Sequence, residues 1–480
     1  MNRRALRAIS VGASLAACLA LAPLIAAPAA VAAPHRVAGD FDGDGKADLA
    51  VGAPGGNRVR ISYTSAHPGG SHVSFLHASE HSYHYPMQFG YALATGDFND
   101  DGFADLAVGA PDYTTPPNPD LGSGVLETRG AVFIFFGSST GLHEQPLTMQ
   151  GPYDGDDPFN LGQALAAADV NGDGSADLAV TLLGADNGNI RVYQGSPSGF
   201  TSTFQPLDDY EATSLAFGDV NGDHHPELIA ASTVDLENPT DEDYGDLLIF
   251  HGRASGLNPA SPQKIRGDQV GLFRDLGTSV ATGDVNGDGI TDVVAGAAYD
   301  RDIHHASAGT IVLLTGGAHG LHAARHQLVR ERAVNSAWHD GNGFGAALSI
   351  AKINGDRFAD VVVGAPTERV GAKNAAGAAY VLRGSASGIS TSHVQRLTQA
   401  TPGIAGTVAR RAHFGAAVLA SKLNRDRFAD LLVGAPNRTT HAAHSGMFVR
   451  LLGTSTGITT HAAGLVGDTH ANDHLGFSIR

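Results

Sequence analysis

Cysteine is all but missing from this chain: Cys18 is the only one in 480 residues. A disulfide framework is therefore excluded, and stability has to come from elsewhere. Bases are scarce as well, with 31 Lys and Arg against 48 Asp and Glu and a formal charge of -17, which argues against nucleic acid as a partner. Tryptophan occurs once, as Trp338. Apolar runs long enough to span a membrane are lacking beyond the first 33 residues. Those first residues read as a leader: three arginines by position 7, an apolar run from Ala8 to Ala27, and an Ala30-Val31-Ala32 cleavage signature. We expect residues 1–33 to be a signal peptide and residues 34–480 to form the exported domain. A lipoprotein box ending at Cys18 is the alternative, disfavoured because the apolar run continues past it. Removal of the leader leaves 28 bases against 48 acids, or -20.

What the chain has in quantity is glycine, 62 residues, and much of it is periodic. The stretch "GDFNDDGFADLAVGAP" from Gly96 has counterparts starting at Gly39, Ala168, Gly218, Gly283, Ala351 and Ser421, about 64 residues apart on average. A second turn of the form G-S-x-x-G-L follows six times, at Gly137, Gly195, Gly252, Gly316, Gly384 and Gly453. Between these turns lie short runs such as "ADLAVGA" and "GAVFIFF", small, β-branched and aromatic, bounded by glycine, proline or asparagine. Those are strand signals. Four antiparallel strands per unit fit the count. The expected fold class is all-β: a seven-bladed β-propeller of four-stranded antiparallel blades, a radial arrangement that protects sheet edges and leaves a monomer as the expected state. "LGFSIR" at Leu475–Arg480 aligns with the first half of the strand "FGYALA" from Phe89, whereas "VAGDFDGDG" from Val37 starts where that half stops. A strand split between the two ends, clasping the ring, is the expectation; a truncated eighth repeat is the alternative.

The acidic loops call for a cation. Asp40, Asp42, Asp44 and Asp48 occupy positions 1, 3, 5 and 9 of unit one, with Gly43 and Gly45 permitting a sharp turn. The same positions hold Asp97, Asn99, Asp101 and Asp105; Asp169, Asn171, Asp173 and Asp177; Asp219, Asn221, Asp223 and Glu227; and Asp284, Asn286, Asp288 and Asp292. Alternate oxygens converging on one centre suit a hard cation of high coordination number, and calcium is the natural choice over magnesium, which retains its waters. An EF-hand is excluded, since position 12 is Val51, Val108, Val180, Ala230 or Ala295 rather than glutamate. Units six and seven break the pattern with Lys352 and Lys422 at position 1 and Arg357 and Arg427 at position 6. There the lysine ammonium is expected to lie over the remaining carboxylates in place of an ion. The expected complement is about five calcium ions, which would bring the exported domain from -20 to about -10.

"FGYALATGDFNDDGFADLAVGAP", "FGAALSIAKINGDRFADVVVGAP" and "FGAAVLASKLNRDRFADLLVGAP" resemble the FG-GAP repeats of integrin alpha-chain N-terminal domains and of bacterial integrin-like propellers. The resemblance covers residues 37 to 480. It implies a seven-bladed propeller with calcium in hairpin loops and a role in adhesion or binding. Units three to five lack the full Gly-Ala-Pro triplet, and nothing resembles an integrin leg, membrane span or tail, so transmembrane signalling is not implied.

Other signals weigh less. "GSSTG" and "GTSTG" match a hydrolase elbow, but the same repeat slot is filled elsewhere without the central serine, so Ser139 and Ser455 read as turn residues. The Arg266–Asp268 tripeptide is one that chance readily produces in such a chain. Strand parity places the acidic loops and the G-S-x-x-G turns on one face and the long, variable connections on the other. Tyr113, Tyr153, Tyr244, Tyr299 and Trp338 lie in or beside those connections and are the candidate contacts for an extracellular protein or glycan. Such a binding or adhesion module is the leading expectation; an extracellular hydrolase or lyase with its site on the variable face and a structural envelope protein are the alternatives.

Overall fold

The computed structural model describes residues 37–64, 73–78, 87–115, 127–152, 159–184, 189–200, 203–207, 210–233, 244–301, 309–424, 426–439, 443–467 and 470–480. Residues 1–36, with the expected leader and Cys18, and Tyr153 lie outside them. Seven antiparallel sheets follow in chain order. Blade two is representative in its pairing: Leu93–Gly96, Asp105–Ala110, Ala131–Phe135 and Leu147–Gln150 pair in sequence from the axis outwards. The second strand of each blade is buried along almost its whole length, as in "DLAVGA" at Asp105–Ala110 and "DVVVGA" at Asp360–Ala365. A strand covered on both faces by neighbouring blades reads as a continuous apolar run rather than an alternating one. Additions to the plan are a two-stranded ribbon, Thr114–Thr115 with Glu127–Thr128, and a single helical turn at Glu331–Val334.

The glycines of the repeat have a specific task. A Cβ on Gly109 would come within 2.0 Å of the carbonyl oxygen of Gly162 in the next blade; Gly52 and Gly90, Gly296 and Gly345, and Gly364 and Gly415 make the same approach. The Gly-Ala-Pro glycine of one blade and the Phe-Gly glycine of the next are thus one contact divided between two repeats. Gly434 of blade seven makes it with Gly476, near the C-terminal end of the sequence.

That end closes the ring. Ala50 N–H donates to Arg480 O at 2.7 Å, Arg480 N–H returns to Ala50 O at 2.9 Å, and Gly52 N–H donates to Ser478 O at 2.9 Å. Val51 and Ile479 form an antiparallel bridge. Blade one therefore takes its innermost strand from residues 476–480 and the rest from Leu49–Ala53, Arg58–Ser62 and Val73–His77, as the split-strand reading anticipates. Leu475 and Ile479 are buried with Leu49, Val51, Leu432 and Phe448 across the seam between blades seven and one. The first strands surround a narrow axial cavity, and hydroxyls stitch neighbours together: Thr282 Oγ1 donates to Phe217 O and Ser478 Oγ to Gly90 O, both at 2.7 Å. Among the described residues no helix is long and apolar enough to cross a membrane.

Candidate calcium centres

In blades two to seven the acidic loop joins the first and second strands, and in blade one it leads into the second strand, Leu49–Ala53; the turn is set by backbone geometry before any cation is considered. In blade two, Asp97 at position 1 accepts N–H groups from Asp101 and Gly102 at 3.1 and 3.0 Å. Asp101 at position 5 accepts from Phe103 N–H at 2.9 Å. Gly102 at position 6 has φ +90°, a left-handed conformation that glycine adopts freely. The arrangement recurs around Asp40, Asp169, Asp219 and Asp284. In blade four, His224 takes position 6 at φ +71°, which a residue with a Cβ adopts only with strain. Blade four is also the one where a histidine reaches the position 9 acid, with His251 Nδ1 3.5 Å from Glu227 Oε1.

The acid at position 9 differs from the others. Asp105 Oδ2 accepts Phe98 N–H at 2.8 Å, and its Oδ1 accepts the N–H of Gly137, the first residue of the G-S-x-x-G turn, at 2.7 Å. Asp177, Asp292 and Asp360 make the same two bonds. Position 9 thus fastens the acidic loop to the second turn, and both lie on one face, as strand parity requires. The second turn closes on itself: Ser138 Oγ donates to Gly141 O at 2.7 Å and Thr454 Oγ1 to Gly457 O at 2.7 Å, while Ser139 and Ser455 are exposed loop residues.

Burial makes these carboxylates costly to ionise. Desolvation pushes Asp48 up to about 7, Asp105 to about 8, and Asp177 and Asp292 to about 6, against the backbone donors that favour the anion. Asp40 and Glu227 are raised for the same reason. Carboxylate oxygens of Asp40, Asp42 and Asp48 lie within 4.8 Å of one another and could hold a metal ion. The donor set fits calcium: hard oxygens, a sharp turn, and buried negative charge that only a cation would offset. The sign of the pH response follows. Without metal, the folded protein binds protons at these groups between the unfolded value near 4 and the folded values of about 6 to 8, so its stability falls as pH rises through that window. We expect metal-free protein to melt at a lower temperature at pH 8 than at pH 5.5, and saturating calcium to remove or reverse the difference, as thermal scans would show.

Loops six and seven are built otherwise. Lys352 and Lys422 are exposed, and among the described residues neither forms an ion pair with the loop carboxylates, in contrast to the expected ammonium bridge. Arg357 and Arg427 avoid the left-handed conformation at position 6 and stack on Phe358 and Phe428, 4.7 and 5.0 Å from the ring centroids. In blade seven the charge on the buried Asp430 is met by Arg450, whose guanidinium lies 2.8 Å from Oδ2 and also donates to Leu423 O at 3.1 Å. Arg450 projects from the third strand at a position held by Ile61, Ile134, Val192, Ile249, Leu313 and Val381 in the other blades. The signal in the sequence was a lone arginine inside "MFVRLL".

The candidate contact residues divide. Tyr299 is 48% exposed. Trp338 is half-buried, and Tyr244 is half-buried with Arg266 5.8 Å from its ring centroid. Tyr113 is buried, 8% exposed, and packed edge-on against Phe133 at 5.7 Å. The Arg266–Asp268 tripeptide folds onto itself, with Arg266 Nε 3.4 Å from Asp268 Oδ1. Sequence reasoning passed over two buried acids of the variable face. Glu331 accepts Asn335 and Asn342 amides at 2.8 and 2.7 Å, and Glu368 accepts Tyr380 Oη–H at 2.7 Å; each pins a loop.

A closed ring of seven four-stranded blades with acidic loops on one face defines a β-propeller of the repeat type. Within that class, the FG-GAP repeat family matches residues 37–73, 89–134, 276–314 and 344–382, and an FG-GAP-like repeat matches residues 169–230. The chain thus carries FG-GAP repeats within a seven-bladed propeller. Relatives include Phosphatidylinositol-glycan-specific phospholipase D of Rattus norvegicus, 28% identical over 388 residues, covering 68% of this chain and 42% of that protein. Integrin alpha-7 of Rattus norvegicus is 33% identical over 156 residues, 31% of this chain and 13% of its own length. Integrin alpha-PS2 of Drosophila melanogaster is 35% identical over 169 residues, 34% and 11% respectively. The chain thus spans less than half the length of each.

Proposed function

We propose that the protein is an exported, calcium-stabilised binding module that engages an extracellular protein or glycan through its variable face. The observation that carries this is the division of labour between faces: acidic loops and hydroxyl-closed turns on one, connections carrying the exposed Tyr299 and the half-buried Trp338 on the other. Signal-type residues at 1–33 support export. Glu331 Oε1 and Glu368, two of the buried acids of the variable face, hold loops through hydrogen bonds, which favours a scaffold for contacts over acid–base chemistry. Integrin relatives support an adhesive role at the cell surface, and the domain acts as a monomer.

Trp338→Ala and Tyr299→Ala should each weaken capture of the surface partner by about 5- to 30-fold, the usual effect of truncating an aromatic anchor. Calcium content and melting temperature should not change. Binding to cell-envelope extracts immobilised with each variant tests this; equal losses from changes in the G-S-x-x-G turns would place the partner on the other face.

Five calcium ions are expected, one each at blades one to five. Lys352→Asp with Arg357→Gly should restore both the missing carboxylate and the left-handed turn, creating a sixth site with affinity of about 0.1 to 1 mM. Calcium titration by calorimetry would detect it. No added site in the double variant would mean that the loop backbone, and not those two residues, decides occupancy.

A further inference from the structure

The axial cavity is walled by the first strands of the blades, and one level of that wall carries an unusual side chain. Pairing with the second strands puts Ala94, Ala166, Ala216, Ala281, Ser349 and Leu419 at one level of blades two to seven. The bridge between Val51 and Ile479 sets Arg480 at the same level in blade one. Short side chains leave the axis open there, and a guanidinium on a long stem enters it. Arg480 lines both compartments of the cavity, about 330 and 260 Å³, and so sits where they meet.

This guanidinium has donors to spare. The backbone N–H and C=O of Arg480 are taken by Ala50 in the clasp. Its Nε donates to Leu93 O of blade two at 2.9 Å, while neither terminal nitrogen donates to any described residue. Among the described residues lining either compartment, Arg480 alone is charged. Its surface faces open space, yet protein surrounds that space. Desolvation therefore lowers the guanidinium from its ordinary value, and no carboxylate among the described residues offsets the shift. A charge set inside a protein is normally paired; this one is held by a single bond to a carbonyl. Hydroxyls add donors in the larger compartment. Ser349 Oγ accepts Ala420 N–H at 2.9 Å and so keeps its proton to give, and Thr95 Oγ1 makes no hydrogen bond to a described residue.

We propose that the axial cavity binds a small carboxylate, of formate or acetate size, with its two oxygens against the terminal nitrogens of Arg480 and the Thr95 hydroxyl beside them. The planar fork of a guanidinium matches the two oxygens of a carboxylate. The site lies on the propeller axis and rests neither on the variable-face reading nor on the calcium-loop assignment.

Formate is the probe, titrated by calorimetry into calcium-saturated protein in chloride-free buffer, with formamide as the uncharged isostere and chloride as a spherical anion. One saturable formate site is expected, with formamide and chloride each at least tenfold weaker. Arg480→Gln should weaken formate at least tenfold, and because the clasp bonds at this position come from the backbone, the ring should stay closed. Should that variant fail to fold, a measurement on the unmodified sequence decides the matter: with threonine methyl groups labelled, the proton of bound formate should show a nuclear Overhauser effect to the Thr95 methyl. No saturable formate binding, equal binding to Arg480→Gln, formamide or chloride binding as tightly as formate, or no such effect at Thr95 would overturn the proposal.

Discussion

Deletion of Leu475–Arg480 will lower the melting temperature by about 5–10 °C and broaden the transition. The size follows from what those residues do. Leu475 and Ile479 are 1% and 5% exposed, and burying two such side chains contributes about 1.5–3 kcal/mol each. The backbone bonds to Ala50 and Gly52 add about 0.5–1.5 kcal/mol apiece. The unfolding entropy of a domain this large is on the order of 0.9 kcal/mol per kelvin, which converts the loss into that interval. Beyond the shift, the Gly434–Gly476 approach disappears, and blades seven and one face each other without the contact that joins their counterparts. An open array of sheets has lost the neighbour on each terminal blade and can fray from both ends. A truncated protein that melts like the intact one, in one sharp transition, would show that the ring does not depend on its clasp.

Calcium removal should have an effect of comparable or greater size. A ligand that binds only the folded state adds about 2.7 kcal/mol per site at 100 times its dissociation constant. Five such sites correspond to a fall of about 10–15 °C on chelation, on the same entropy scale. The loss should be larger than a sum of separate loops would suggest where adjacent sites empty together. Four of the five acidic loops also carry an inter-blade bond: Asp40 O accepts from Ala104 N–H and Asp284 O from Ala359 N–H at 2.9 Å, Asp97 O from Ala176 N–H at 2.7 Å and Asp219 O from Thr291 N–H at 3.1 Å. Release of one loop therefore loosens the next blade. Thermal scans at fixed pH with excess calcium and after chelation measure this directly, and coincident curves would remove calcium from the account of stability.

Much of the fold was legible because the repeat is written in residues with few alternatives. The Gly-Ala-Pro and Phe-Gly glycines pack so closely that an added Cβ would fall 2.0 to 2.1 Å from the facing carbonyl oxygen, and the aspartates at positions 1 and 5 accept the backbone donors of a sharp turn. These are local requirements, and sequence shows them locally. Pairings between distant segments were harder to see. Arg450 meets Asp430 from 20 residues away, and neither residue signals the other in the sequence. Arg427 and Lys422 are both nearer to Asp430 along the chain, yet Arg427 lies over the Phe428 ring and Lys422 is exposed. Tyr113 carried no mark to separate a loop aromatic from a core one; only its packing on Phe133 does so.

The central claim is that residue identity at positions 1 and 6 decides which loops take a cation. Metal analysis of the purified protein, equilibrated with excess calcium and freed of unbound ion, tests it most directly. The account predicts five calcium ions per chain. Seven would show that Lys352, Lys422 and the Arg450–Asp430 pair do not exclude the ion, and none would show that the acidic loops are hairpin turns closed by their own backbone bonds alone.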